Sequence, residues 1–388
     1  MKFYVGDYTK GLNLGGPGVC ECEVTAEGEL RFVQSADTLV EDPTYMILSA
    51  DQNTLFVTCS TPADDEPGCS VATFDVSDGG IHLTSIHPTA GSSACHLTLS
   101  PDERFLYVAN YGDGKLTVFP VENGRVGKRI QLIQHEGHGP NPKRQERPHI
   151  HFTQFHPQDG RLYVVDLGID AVMIYRQDPQ TGLLTADERV DVPAGMGPRH
   201  LAFRDDMMYV AHELGGAVSA FRSTAGGWKL EQTVPTLMEG CGSEGAVAAI
   251  RVFDDRLYVS NRQNDSIAEF EIRMGGSLAL ERTFSTFGSF PRDFVVLDMG
   301  LLLVANQNSG DIRLIAAPPL ESPAMRRARE HEAAKHAGGM HLFLNPEYEE
   351  WFVRAIFGGQ TEEASYNDVY QLGEALPLPG AVCVCPRK

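Results

Sequence analysis

Apolar residues recur along the chain in short unbroken runs that close on two polar positions, a pattern of strands rather than of amphipathic helices. The repeated unit is an aromatic or leucine pair, a valine, a small residue and a polar pair. It reads FYVGDY from Phe3, LFVTCS from Leu55, LYVANY from Leu106, LYVVDL from Leu162, MYVAHE from Met208, LYVSNR from Leu257 and LLVANQ from Leu302. These seven copies start about 50 residues apart, the period of a propeller blade. Most have a second strand and a turn just upstream, as in ACHLTLSPDERF, IHFTQFHPQDGR and PRDFVVLDMG, and a third strand downstream, as in KLTVFPV, AVMIYRQ and SIAEFEI. Each unit is thus an antiparallel meander.

The first copy has no upstream strand of its own. ALPLPGAVCVCP, Ala375 to Pro386, has the composition to supply it and close the ring, which removes open sheet edges. The expected fold is therefore all-β: one seven-bladed β-propeller domain over residues 1–388, closed by its terminal strands. One stretch departs from the repeat. Residues 319–372 contain SPAMRRAREHEAAKHAGG and NPEYEEWFVRAIFGG, which read as a helical insertion. Its Trp351, Phe352, Ile356 and Phe357 are expected to dock on the propeller or on a second subunit, which leaves a homodimer open.

Composition narrows the partners. Acidic residues number 52 against 32 basic, a formal charge of −20, which argues against nucleic acid and anionic membranes but not against a small anion held by a local arginine cluster. The N-terminus lacks an apolar run of signal-peptide length and no segment has the length of a bilayer span, so a cytoplasmic protein is expected. The eight cysteines include no CxxC pair and read as free buried thiols.

In a propeller, matched positions of successive blades surround one axis. The fifth residue of each copy gives Asp7, Cys59, Asn110, Asp166, His212, Asn261 and Asn306; the sixth gives Tyr8, Ser60, Tyr111, Leu167, Glu213, Arg262 and Gln307. At the upstream strand the alignment gives Thr44, Cys95, Ile150, Arg199, Ala248 and Arg292, then Tyr45, His96, His151, His200, Ala249 and Asp293. Strict alternation sends these last two columns to opposite faces, so Arg199 and His151 share a cavity only if the strand starts are irregular. The densest stretch is RQERPHIHF, Arg144 to Phe152, with His149 and His151 at alternate positions. The asparagines and Asp166 can equally cap turns, and the arginines can pair with Glu213 or Asp293. Charged residues at matched strand positions are nonetheless most economically explained as a polar funnel at one end of the channel.

The motifs GPNPKRQERPHIHF, VVDLGIDAVMIY, GPRHLAF, YVAHELGGAV, YVSNRQNDSIAEF and FPRDFVVLD resemble the successive blades of the lactonase family of seven-bladed propellers. That family includes cycloisomerase-like 6-phosphogluconolactonases and carboxy-muconate lactonising enzymes. The resemblance implies a catalytic set of one histidine, two arginines and a glutamate: His149 or His151, with His151 favoured; Arg199; Glu213; and Arg262, with Arg292 as the other candidate. Arg144, Arg292, Asn261, Asp166 and His200 are then the substrate-binding candidates. Thr58 to Ser60 and the insertion depart from the family pattern, in ways that bear on substrate choice.

The chemistry implied is hydrolysis of a sugar-acid lactone, foremost 6-phospho-D-glucono-1,5-lactone, without metal or cofactor. Histidine suits proton abstraction from water, and arginine suits both an oxyanion and a phosphate. The same set could serve muconate cycloisomerisation. Two other readings are open: a metal-dependent lactonase using Asp7, Asn110, Asp166, Asn261 and Asn306 as oxygen ligands or His149 and His151 as nitrogen ligands, and a non-catalytic protein-binding propeller.

Overall fold

The computed structural model describes residues 1–10, 15–64, 66–238, 246–298, 300–317 and 369–387. Every repeat copy forms the second strand of a sheet, and these strands are buried on both faces. In Phe105–Asn110, Leu106 and Val108 pack against Phe56 and Val71 of the preceding sheet, while Tyr107 and Ala109 pack against Leu162 and Val164 of the following one. Successive side chains leave a strand on opposite faces, so a strand wedged between two sheets must be apolar at consecutive positions. That is why the motif reads as an unbroken run.

The same arrangement repeats around the molecule. Seven apolar clusters each join two adjacent sheets, the last linking Phe3 and Val5 to Leu303 and Ile312 and so completing the circle. The buried tyrosines of the motif carry their hydroxyls to the blade rims, as where Tyr107 donates to the Gly182 carbonyl of the next blade at 2.9 Å.

All seven sheets are antiparallel, and in blades 2 to 7 the strands run in sequence order from the axis outward. The innermost strands of blades 2 to 7 are Tyr45–Leu48, Ala94–Leu99, Ile150–Phe155, Pro198–Arg204, Val247–Phe253 and Pro291–Asp298. Blade 1 takes its innermost strand, Ala381–Pro386, from the far end of the chain, where Tyr4 pairs with Cys385 and Val5 with Val384. This closure matches the sequence expectation, with one correction. Ala375 to Pro377 belong instead to Tyr370–Pro377, the outer strand of blade 7, which pairs with Asp311–Ala316 and buries Leu372 and Leu376. The strand begins before the expected insertion boundary at 372. Of the helical insertion expected over residues 319–372, residues 319–368 lie outside the described residues.

The innermost strands of blades 3 to 7 share a defect that decides the site. At Ile150/Phe152, Pro198/His200, Pro291/Asp293 and Ala94/His96 the register shifts, leaving His151, Arg199, Arg292 and Cys95 without a partner on the neighbouring strand. In blade 6 the shift spans Ala248 and Ala249. Each is a β-bulge that redirects one side chain.

Candidate active site

These bulges correct the sequence alignment. His151 belongs in one column with Cys95, Arg199 and Arg292, and the residue matched to His96 and His200 is Phe152. The irregularity required for His151 and Arg199 to share a cavity is present, and both residues turn into the funnel.

Glu213, directly after the Met207–His212 strand, is the centre of the cluster. Its Oε2 lies 2.8 Å from Arg262 Nη2 and 3.1 Å from Arg199 Nε, and its Oε1 meets Arg144 Nη2. The Arg199 Nε–H points off the line to the oxygen, so that contact is an ion pair rather than a hydrogen bond. Burial pushes the Glu213 carboxyl upward, but Arg262, Arg199 and Arg144 outweigh it and hold the group well below the usual carboxylate range. Burial, with repulsion from Arg262 and Arg292, brings Arg199 down to about 9, and it stays charged at neutral pH. Arg262 is lowered by burial and by Arg292, against the pull of Glu213. Its guanidinium sits 5.1 Å from the Phe290 ring centroid.

His151 is 6% exposed, and burial followed by Arg199 holds it well below the ordinary histidine value, so the ring is neutral at pH 7. Its Nδ1 faces Cys95 Sγ at 3.9 Å, while Nε2 forms no hydrogen bond among the described residues. Tyr111 meets its ring edge-on at 5.3 Å. With the ring proton on Nδ1, Nε2 carries a lone pair able to accept a proton.

The remaining candidates separate into two groups. Arg144 joins the cluster, donating to Tyr111 Oη at 3.1 Å as well as to Glu213. Arg292 stands beside it, donating to Gln307 Oε1 at 3.2 Å. His149 is diverted, with Nδ1 on the Tyr111 carbonyl at 2.8 Å and its ring stacked on Tyr111. His200 lies beneath the funnel floor, in a plug of rings with His96 and Phe152, and accepts from Arg199 Nη1 at 3.1 Å through Nε2.

Asp166 and Asn261 do not line the funnel. Asp166 Oδ1 accepts from the His149 and Gly168 amides at 2.7 and 2.9 Å, and Oδ2 meets His135 Nδ1 at 2.7 Å. Asn261 Nδ2 is engaged by Ser266 Oγ and the Thr236 carbonyl. The whole fifth-position column is turned into its own blades: Asn110 donates to Lys115 O and Thr117 Oγ1, Asn306 to Asp311, His212 pairs with Ser219, and Asp7 accepts from Gly18. Its oxygens are dispersed among separate blades, and among the described residues no three His, Cys, Asp or Glu side chains converge on a point fit for a metal. The charged cluster is built instead from the sixth-position residues Glu213, Arg262 and Tyr111, the bulge residues His151, Arg199 and Arg292, and Arg144. Two contributors had no role assigned from sequence. Tyr111 was legible from its column with Glu213 and Arg262; Phe290, held in the left-handed region at φ 64°, opens the motif FPRDFVVLD, in which only Arg292 was given a role.

Residues 2–330 match the family model described as Lactonase, 7-bladed beta-propeller. The chain belongs to the lactonase family of seven-bladed propellers, and it is a lactonase, an enzyme of lactone hydrolysis. A 6-phosphogluconolactonase of Bacillus subtilis is 33% identical over 320 residues, covering 80% of this chain and 89% of the relative. A protein of Lactobacillus plantarum of known structure is 26% identical with a TM-score of 0.78, covering 99% of this chain and 98% of its own. The periplasmic gluconolactonase of Pseudomonas aeruginosa is similar in fold, with a TM-score of 0.79 at 24% identity and coverage of 99% and 98%.

Proposed function

We propose that the substrate is 6-phospho-D-glucono-1,5-lactone, opened to 6-phosphogluconate as in the pentose phosphate pathway. The observation that carries this reading is a surplus of positive charge. One carboxylate, Glu213, is shared by Arg144, Arg199 and Arg262, and Arg292 stands near it, in a chain whose formal charge is −20. A neutral sugar lactone gives no reason for such a local excess, whereas a phosphate does.

In this mechanism neutral His151 takes a proton from water through Nε2 as the water oxygen bonds to the lactone carbonyl carbon. Arg199 stabilises the oxyanion, in a buried setting where a fixed charge acts strongly. Collapse of the tetrahedral intermediate breaks the bond to the ring oxygen, which takes the proton back from His151 and leaves as the C5 hydroxyl. Glu213 orients Arg199 and Arg262. The seven described cysteines are free thiols, which suits a reducing compartment, and the reading places the enzyme in the cytoplasm.

The test is hydrolysis of freshly made 6-phosphogluconolactone, corrected for spontaneous opening. The wild type is expected to exceed the blank by orders of magnitude, with losses of about 100-fold or more in His151→Ala and Arg199→Ala. A wild-type rate equal to the blank removes this substrate.

A further inference from the structure

On the far side of Glu213 from Arg199 the charged cluster opens into a cavity. This cavity of 390 Å³, within the range of small-molecule sites, is lined by Asn141, Arg144, Glu213, Leu214, Arg262 and Phe290 among others. His151 and Arg199 are not part of its lining. Glu213 links the two: its Oε1 meets Arg144, and its Oε2 lies between Arg262, which also lines the cavity, and Arg199, which does not.

The arginines are graded by depth. The Arg199 and Arg262 side chains are 3% and 10% exposed, while that of Arg144 is 42% exposed. The deep pair suits the reacting carbonyl, and the outer one meets whatever the substrate carries at its far end.

Arg144 is also held in place. Its loop is wrapped around the fully buried Gln145, which donates to the Leu167 carbonyl at 2.9 Å and accepts from the Asn141 amide at 3.1 Å. Asp166 fixes both ends of the segment, through His135 and the His149 amide at 2.7 Å each. Across the cavity, Phe290 keeps its left-handed backbone through a hydrogen bond from its amide to Asp265 Oδ1 at 2.7 Å and sets its ring against Arg262. Such conformations persist only where the surroundings impose them.

We infer that this compartment is the subsite for a phosphate monoester at the end of the substrate remote from the scissile bond, and that Arg144 is the residue that selects for it. The inference rests on the phosphorylated-lactone reading and adds to it a division of labour: Arg144 reads the tail, and Arg199 serves the carbonyl.

The test compares kcat/KM for 6-phosphogluconolactone and for glucono-1,5-lactone. Arg144→Ala is expected to lower the ratio of the two at least tenfold, chiefly through a higher KM for the phosphorylated lactone. Arg144→Lys, which keeps the charge but loses the two-pronged geometry, falls between it and the wild type. Tyr111→Phe, which removes the hydroxyl steadying Arg144, shifts the ratio the same way by a smaller factor. Arg199→Ala lowers kcat for both lactones and leaves the ratio within a fewfold of wild type. An unchanged ratio in Arg144→Ala, or an equal fall in kcat for both substrates, overturns the assignment of Arg144. A wild type with no preference for the phosphorylated lactone overturns the underlying substrate reading before any variant is made.

Discussion

His151 and Arg199 are the extra residues of two β-bulges at the same level of adjacent innermost strands: neither faces a partner across its sheet, and both turn into one funnel. A regular strand would have sent at least one of them into the packed interface between blades. The bulge thus converts a structural position into a chemical one, and it recurs at Arg292 and Cys95.

The electrostatic setting of His151 predicts a pH profile. Burial and then Arg199 and Arg292 disfavour the charged ring, so the base stays neutral well below the ordinary histidine value. The kcat/KM for lactone hydrolysis, after correction for the spontaneous reaction, is expected to show no inflection near 6.5 and to fall only at more acidic pH. Arg292→Gln removes one of the depressing charges and moves the acid limb to higher pH. A wild-type inflection near 6.5 that the variant does not shift contradicts the assignment.

Glu213 predicts a linked loss of stability. Its carboxylate is buried and offsets three guanidiniums, and removing one side of such a cluster costs about 3–5 kcal/mol. Glu213→Gln is expected to lower the urea-unfolding free energy by about that amount at pH 7. Because the folded-state pKa is depressed, the contribution is present above the unfolded value and lost as pH falls through the folded one. The gap between variant and wild type therefore persists at pH 5 and narrows only in strong acid. A gap that closes between pH 7 and 5 contradicts this account.

How much of this was legible beforehand follows from local geometry. The seven motif strands announced themselves because a doubly buried strand needs consecutive apolar residues, and the closing strand because the first blade lacked one. The column containing His151 was misregistered by one residue, since a bulge leaves no mark in an apolar-polar pattern. Asp166 and Asn261 looked like funnel residues because their types suit binding; the structure spends them on backbone amides and turns. Tyr370–Pro377 was merged with the closing strand because only a short Pro-Gly turn separates them.

Asp7 offers a test of that fifth-position column. It stands where blades 3 and 7 have Asn110 and Asn306, each beneath a glycine turn with no room for a side chain. Burial raises the Asp7 carboxyl to about 7, with Asp42 adding to the effect against a hydrogen bond from Gly18. A raised folded-state value means its stabilising contribution is full below about pH 4 and is lost as pH rises to about 7, a change of up to about 4 kcal/mol. Asp7→Asn is expected to flatten that part of the stability curve and to be the more stable protein at pH 8. Parallel curves for the two proteins between pH 4 and 7 contradict it.

The most direct measurement is a crystal structure with 6-phosphogluconate bound. The account predicts the product carboxylate within hydrogen-bond distance of Arg199, its carbon facing His151 Nε2, and the phosphate on Arg144. A carboxylate bound away from both His151 and Arg199 would contradict it.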